Sequence, residues 1–248
     1  MMKLILSIFL AILVTACATQ TQTETEIKNT KARARSHTDL GAVYLQERRY
    51  EIALEEYTLA TEIDPAFAVA YNGLGLVHAA LGQDRQAEQN FRRAIQLDPG
   101  NSEAHNNYGN FLCSRNRIDE SIKEFMAAIQ NPLYVTPEVA YTNAGICALR
   151  KQDTASAEAY LQKALQIQPL NGAAAYQVAS IQFNRNQYLQ AKKTLQNVVI
   201  AQPTPENLWL SVQIARKLGL RDEETSLAFQ LRRLYPDSEQ AKLLLSGN

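Results

Sequence analysis

Few side chains in this 248-residue chain have a type and spacing suited to chemistry. Three histidines occur, His37, His78 and His105, none in the His-x-x-x-His spacing that sets two imidazoles on one helix face for a metal. No Cys-x-x-Cys pair offers a thiolate site. Gly73 to Gly75 reads Gly-Leu-Gly, without the further glycines and the strand-to-helix context of a phosphate loop. Ser114, Ser121 and Ser180 lack any sequence context that would activate a hydroxyl. The carboxylate runs at Glu55-Glu56 and Asp222 to Glu224 read as solvated helix faces and helix starts. The expectation is no enzyme, no metal and no cofactor. Lys and Arg total 25, as do Asp and Glu, so there is no basic excess to hold a nucleic acid.

Cys17 is different, because of the run before it. Lys3 gives a short positive start, and Leu4 to Val14 is apolar apart from Ser7. That run is too short to span a bilayer, which takes ~20 apolar residues, and has the shape of a secretory leader. Two cuts are open. Ala16-Cys17-Ala18 is an A-x-A-like site for cleavage after Ala18. Alternatively Val14-Thr15-Ala16-Cys17 resembles a bacterial lipobox, with cleavage before Cys17 and acylation of its thiol. The stretch after Cys17 favours the lipobox. Up to Lys31 it has one apolar side chain larger than Ala, Ile27, and cannot bury enough surface to fold. About 14 such residues would span roughly 20 Å as a flexible tether. The expected organisation is a leader over 1–16, a lipidated Cys17 and flexible tether over 17–33, and a folded domain over 34–248.

The folded domain repeats itself. His37 to Pro65 aligns with Tyr71 to Pro99 at a step of 34 residues. Leu40-Gly41 recurs as Leu74-Gly75, Ala53 as Ala87, Tyr57 as Phe91, Ala60 as Ala94, and Asp64-Pro65 as Asp98-Pro99. Further copies carry Tyr108-Gly109, Phe125 and Ala128, then, after a two-residue insertion, Gly145, Ala157, Leu161, Ala164 and Pro169. A weaker fifth copy keeps Ala191, Leu195 and Pro203, and an atypical sixth ends at Pro236. Such a pattern resembles the tetratricopeptide repeat (TPR), a helix pair that cannot bury its apolar face alone. The small residues let helices approach, the aromatic or Leu fills the gap, and each Pro ends a second helix because it cannot donate a backbone hydrogen bond. The predicted fold is all-α: about six helix pairs and a short C-terminal tail helix over Ser238 to Leu245. The resemblance implies a right-handed α-solenoid. In that register His37 and His105 occupy the aromatic packing slot and His78 the slot of Tyr44, so all three read as packing residues.

What the TPR resemblance implies for function is a partner-binding groove lined by the first helix of each pair. The expected positions are Asn72, Leu76, Ala79, Asn106, Asn110, Thr142, Ile146, Leu149, Tyr176, Ser180 and Phe183. Asn106 and Asn110 stand four apart on one helix face, where amides can grip a peptide backbone. The groove lacks the Lys/Arg cluster with which chaperone-type TPR domains capture carboxylates. With Cys17 lipidated, an even pair remains in an exported chain, Cys113 and Cys147. In repeat register they differ by two residues, about 200° around a helix, so one faces forward and the other backward on adjacent first helices. The expectation is a disulfide, against two buried free thiols.

Asn106 to Cys113, Ala128 to Leu149 with its two-residue insertion, and Gln230 to Ser238 go beyond generic TPR sequence. They resemble the type IV pilus biogenesis and stability family, PilF/PilW, over essentially the whole chain. That resemblance implies an outer-membrane lipoprotein on the periplasmic face, acting as pilotin or assembly scaffold for the pilus secretin or another pilus component. The other reading is a TPR lipoprotein serving a different envelope machine, for outer-membrane protein insertion or peptidoglycan synthesis.

The lipobox reading has a direct test. Mass spectrometry of the mature chain should find an acylated Cys17 at its N-terminus; an unmodified chain starting at Thr19 establishes the other cut.

Overall fold

The computed structural model describes residues 26–245. Among them every regular element is helical, with no strand. Helix α1 covers residues 26–46. After it come α2 (Tyr50–Ile63), α3 (Ala68–Ala80), α4 (Asp84–Leu97), α5 (Ser102–Ser114), α6 (Ile118–Gln130), α7 (Pro137–Arg150), α8 (Thr154–Ile167), α9 (Gly172–Asn184), α10 (Tyr188–Ala201), α11 (Pro205–Leu218), α12 (Arg221–Leu234) and α13 (Glu239–Leu245). The odd-numbered helices up to α11 are the first helices of six pairs; the even ones are the second helices; α13 is the tail helix. The chain divides inside α5, after Tyr108, into two compact units.

In each pair the turn between helices passes through one residue with positive φ: Arg48, Gly82, Asn116, Gln152, Asn186 and Gly219. Their spacing follows the repeat period, stretched at the two-residue insertion between Asn116 and Gln152 and one residue short before Gly219. Only Gly82 and Gly219 adopt the left-handed region without steric cost; the other four are held there by the helices they join. Second helices stop before proline. Asp64, Asp98, Gln168, Gln202 and Tyr235 each give a last backbone N–H to the helix, and Pro65, Pro99, Pro169, Pro203 and Pro236 come next. The Asp64 and Asp98 carboxylates then accept from the N–H of Ala66 and Gly100 and fold the chain back.

The core of the first unit is small residues facing rings. A Cβ on Gly73 would lie 2.1 Å from the Tyr57 ring, and one on Gly75 2.6 Å from that of Phe91. Ala53, Ala60, Ala87 and Ala94 are fully buried beside them. In the second unit a Cβ on Gly109 would meet Phe125 at 2.7 Å and one on Gly145 would meet Leu161 at 2.5 Å. Leu40 is 46 % exposed although its repeat mate Leu74 is 7 % exposed. The difference comes from position, because α3 has the preceding second helix α2 packed against it.

One sequence expectation changes near the N-terminus. Cys17 and the leader lie outside the described residues. The tether expected up to residue 33 is helical over residues 26–33, which α1 covers. Lys31, Ala32, Arg33, Ala34 and Arg35 are good helix formers. Thr30, Ser36 and Thr38 turn their hydroxyls onto carbonyls four residues back. Ala34 and Thr38 are buried, so this helix is docked by a narrow small-residue stripe that apolar content alone does not reveal.

Gly145→Val places a branched side chain against Leu161 and against the Ala157 carbonyl oxygen, 3.1 Å from the Cβ position. It should lower unfolding free energy by about 1–3 kcal/mol, read as a reduced urea midpoint at unchanged slope.

Candidate functional site

The first-helix face is built from positions spaced i, i+4, i+7, which align along one side of a helix. In the first unit these are Asn72, Leu76 and Ala79 on α3. In the second they are Thr142, Ile146 and Leu149 on α7, and Tyr176, Ser180 and Phe183 on α9. The structure keeps that register but divides the set by depth. Asn72, Asn106 and Thr142 are buried, at 7 %, 8 % and 6 % exposure. Each lies just over one turn into its helix, where neighbouring helices cover it.

These polar groups are buried because they tie one repeat to the next. Asn107 Nδ2 donates to Asn72 Oδ1 at 3.3 Å, joining α5 to α3. Asn171 Nδ2 donates to Thr142 Oγ1 at 3.0 Å, while the Thr142 hydroxyl donates to the Glu138 carbonyl. Asn207 Nδ2 reaches the Gly172 carbonyl at 3.5 Å. Asn72 and Thr142 therefore serve the stack rather than a ligand, and buried Asn106 does not present its amide beside the exposed Asn110. Sequence reasoning missed Asn107 and Asn171; asparagines recurring near the repeat period were the available signal.

The accessible remainder is neutral and amphipathic. Leu76, Ala79, Ile146, Leu149, Tyr176, Ser180 and Phe183 are half-buried and Asn110 is exposed. Leu149 rests on the cluster around Leu161 and Val178. Tyr176 and Phe183 rest on the C-terminal cluster, with Phe183 edge-on to Tyr188 at 5.2 Å between centroids. Half-buried rings with fixed backs suit the anchoring of a partner's apolar side chains.

The three histidines are all engaged. His37 Nδ1 meets Glu56 Oε2 at 2.7 Å, His78 Nδ1 meets Gln83 Oε1 at 2.6 Å, and His105 Nε2 meets the Pro99 carbonyl at 3.1 Å. Tyr108 donates to Glu88, which also pairs with Arg92. Burial, then that hydrogen bond, push the Tyr108 phenol up to about 12, so it stays a donor. Among the described residues no group of three or more His, Cys, Asp and Glu could hold a metal ion, and no helix is long and apolar enough to cross a membrane.

Cys113 on α5 and Cys147 on α7 are brought together with Cα atoms 5.9 Å apart, within the span a disulfide needs. Cys147 is fully buried and Cys113 is 9 % exposed. Arg150 Nη1 donates to the Cys113 carbonyl at 2.7 Å, and the Ser121 hydroxyl donates to the Gly109 carbonyl at 2.8 Å beside the Cys147 sulfur. Neither Arg150 nor Ser121 stands out in the sequence as a neighbour of the cysteines, because only the fold brings them there.

The repeats and the chain as a whole have relatives among known proteins. Tetratricopeptide-repeat family models match residues 68–101, 90–123 and 148–213, and a TPR model matches 41–82. Type IV pilus assembly protein PilF of Pseudomonas aeruginosa is 30 % identical over 206 residues, 82 % of this chain and 81 % of that protein. The solved structure of P. aeruginosa PilF superposes with a TM-score of 0.76 at 27 % identity, over 89 % of this chain and 100 % of that one. PilW, a widely conserved type IV pilus biogenesis factor, matches with a TM-score of 0.72 at 29 % identity, over 86 % and 98 %. With 30 % identity across 82 % of this chain and 81 % of PilF, the chain belongs to the PilF family of tetratricopeptide-repeat proteins of type IV pilus biogenesis.

Proposed function

We propose that the protein is an outer-membrane lipoprotein, anchored through Cys17 on the periplasmic face, that acts as pilotin and assembly scaffold for the secretin pore of the type IV pilus. The observation that carries this reading is the 30 % identity to type IV pilus assembly protein PilF across 82 % of the chain. Supporting it are the leader-like segment before Cys17 and the neutral, ring-bearing first-helix face. Acyl chains hold a protein to a bilayer at about 0.8 kcal/mol per buried CH₂, and two or more make the anchor stable. The polar segment after Cys17 then lets the repeats search a small volume, which raises the effective concentration of a membrane partner without adding contacts. In the second unit Asn110, Ile146, Leu149, Tyr176, Ser180 and Phe183 take up the partner segment, a secretin peptide or another pilus component, and in the first unit Leu76 and Ala79 offer a face of the same kind. Nothing in this role requires turnover.

The reading includes an oxidised Cys113–Cys147 pair, in keeping with an exported protein. A bond across 34 residues restricts the unfolded chain by about 3–4 kcal/mol and clamps α5 to α7 at the one junction the sequence lengthens. Thiol labelling of the unfolded, unreduced protein should find neither Cys113 nor Cys147 free. Labelling of both refutes the bond.

Deletion of the gene should reduce heat-resistant secretin multimer and surface pili, and Cys17→Ser should leave a folded domain with poorly assembled or mislocalised secretin. Normal multimers and pili in the deletion, with failing cell-wall or outer-membrane protein assembly, would assign the chain to another envelope machine.

A further inference from the structure

A second recessed surface lies on the other side of the second unit, among second helices. Helices α10 and α12 both pack on α11 and not on each other. The gap between them is a cavity of about 680 Å³, within the range of ligand-binding pockets. Its apolar part is formed by Val199 and Ile200 of α10, Ile214 of α11, and Leu227 and Leu234 of α12, with Pro203 beside them. Ile200 is 75 % exposed and Leu234 43 % exposed, so apolar side chains rim the opening as well as floor it.

The frame of this cavity is fixed at both ends. Lys192 of α10 pairs with Glu223 of α12 across the gap. Near the other end the Tyr235 hydroxyl donates to the Pro203 carbonyl. The cavity is also not the uncovered end of the stack, because α13 packs on α11 and α12 and buries Ala241 in the C-terminal core.

Its polar groups identify the occupant. Lys192 and Glu223 neutralise each other, which leaves Arg233 as the one unbalanced charge among the lining residues. Among the described residues Arg233 meets only the Phe229 ring, 5.9 Å from its centroid. Gln196 and Gln230 line the opposite walls, and among the described residues their side chains enter no hydrogen bond. A primary amide both donates and accepts, which suits the N–H and C=O of an extended backbone. A guanidinium beside apolar walls suits a carboxylate.

We propose that the α10–α12 cavity binds an extended peptide segment of a partner protein, with an apolar side chain seated over Val199, Ile214 and Leu227 and an acidic side chain on Arg233. Gln196 and Gln230 hold its backbone. This surface is separate from the first-helix face and does not depend on which envelope machine the chain serves. A scaffold with both surfaces holds two segments at once.

The test uses the purified full chain and a fluorescein-labelled octapeptide with two leucines flanked by glutamates in a Ser/Gly background. A second octapeptide carries lysine for each glutamate. Fluorescence anisotropy should give binding of the acidic peptide and at least tenfold weaker binding of the lysine one. Arg233→Ala should weaken the acidic peptide about tenfold and abolish the preference. Ile200→Glu should weaken it by a similar factor, and Lys123→Ala, at an exposed position on α6 that belongs to neither surface, should leave it unchanged. Circular dichroism of the variants should match the parent, since both altered lining residues are exposed. Equal binding of the two peptides, binding of neither, or indifference to Arg233→Ala and Ile200→Glu overturns the proposal. Loss in Asn110→Ala alone moves the peptide to the first-helix face. Sedimentation with phosphatidylglycerol vesicles that Ile200→Glu abolishes, with no peptide bound, makes the surface a lipid contact instead.

Discussion

The first four helix pairs depend on how closely a first helix can approach a ring or a leucine from a second helix. Tyr57, Phe91, Phe125 and Leu161 lie where a Cβ on Gly73, Gly75, Gly109 or Gly145 would stand. The contact is narrow and deep: a flat backbone on one side and a large side chain on the other, with fully buried alanines one turn away. A helix pair joined this way has no thick core of its own. Its stability comes from repetition, each pair covering the apolar stripe of the next. Interiors pack at crystal-like density, so a single methyl at the glycine has no empty space to enter.

This constraint explains why the architecture was legible in the sequence. A glycine facing a ring or a leucine is a pattern of residue type at fixed separation, and its return at Gly41, Gly75, Gly109 and, after the two-residue insertion, Gly145 fixes helix pairs, turns and register together. The prolines after the second helices are equally local, as they block continuation by their own chemistry. Legibility ended where structure is imposed from outside the segment. Arg48, Asn116, Gln152 and Asn186 adopt positive φ in turns where only Gly82 and Gly219 announce it. The helical state of residues 26–33 depends on a stripe as small as Ala34 and Thr38 finding a neighbour. Small-residue docking of that kind has no hydrophobic signature to read.

The candidate site was less legible than the fold for a related reason. Helical spacing tells which residues share a face, but not how far along the helix that face is covered. Asn72, Asn106 and Thr142 have groove spacing and are nevertheless buried. An amide buried between repeats must be hydrogen-bonded or it destabilises the stack; Asn107 and Asn171 supply the bonds to Asn72 and Thr142. The same polar residue type therefore means inter-repeat register near the start of a first helix and solvent contact one turn further on, as at Asn110. The α10–α12 cavity lay further still from sequence reading, since its lining comes from three helices and from the absence of contact between two of them.

Packing also divides the labour between the two faces of a helix-pair stack. First helices are covered by neighbours along much of their length and retain mostly half-buried side chains at the positions of the candidate face, so a ligand there meets a neutral surface. Second helices do not need to touch one another, because each is already held by the first helices beside it. Side chains between two second helices are thus free of the glycine-and-ring constraint and can be polar, charged or apolar without cost to the fold. Lys192 and Glu223 illustrate that freedom by bridging helices whose backbones do not meet. Specific recognition then arises on second helices wherever an apolar floor and an unbalanced charge coincide, as Leu227 and Arg233 do. A repeat fold gains binding surfaces in this manner one gap at a time, while the register that holds it together stays fixed by four glycine contacts.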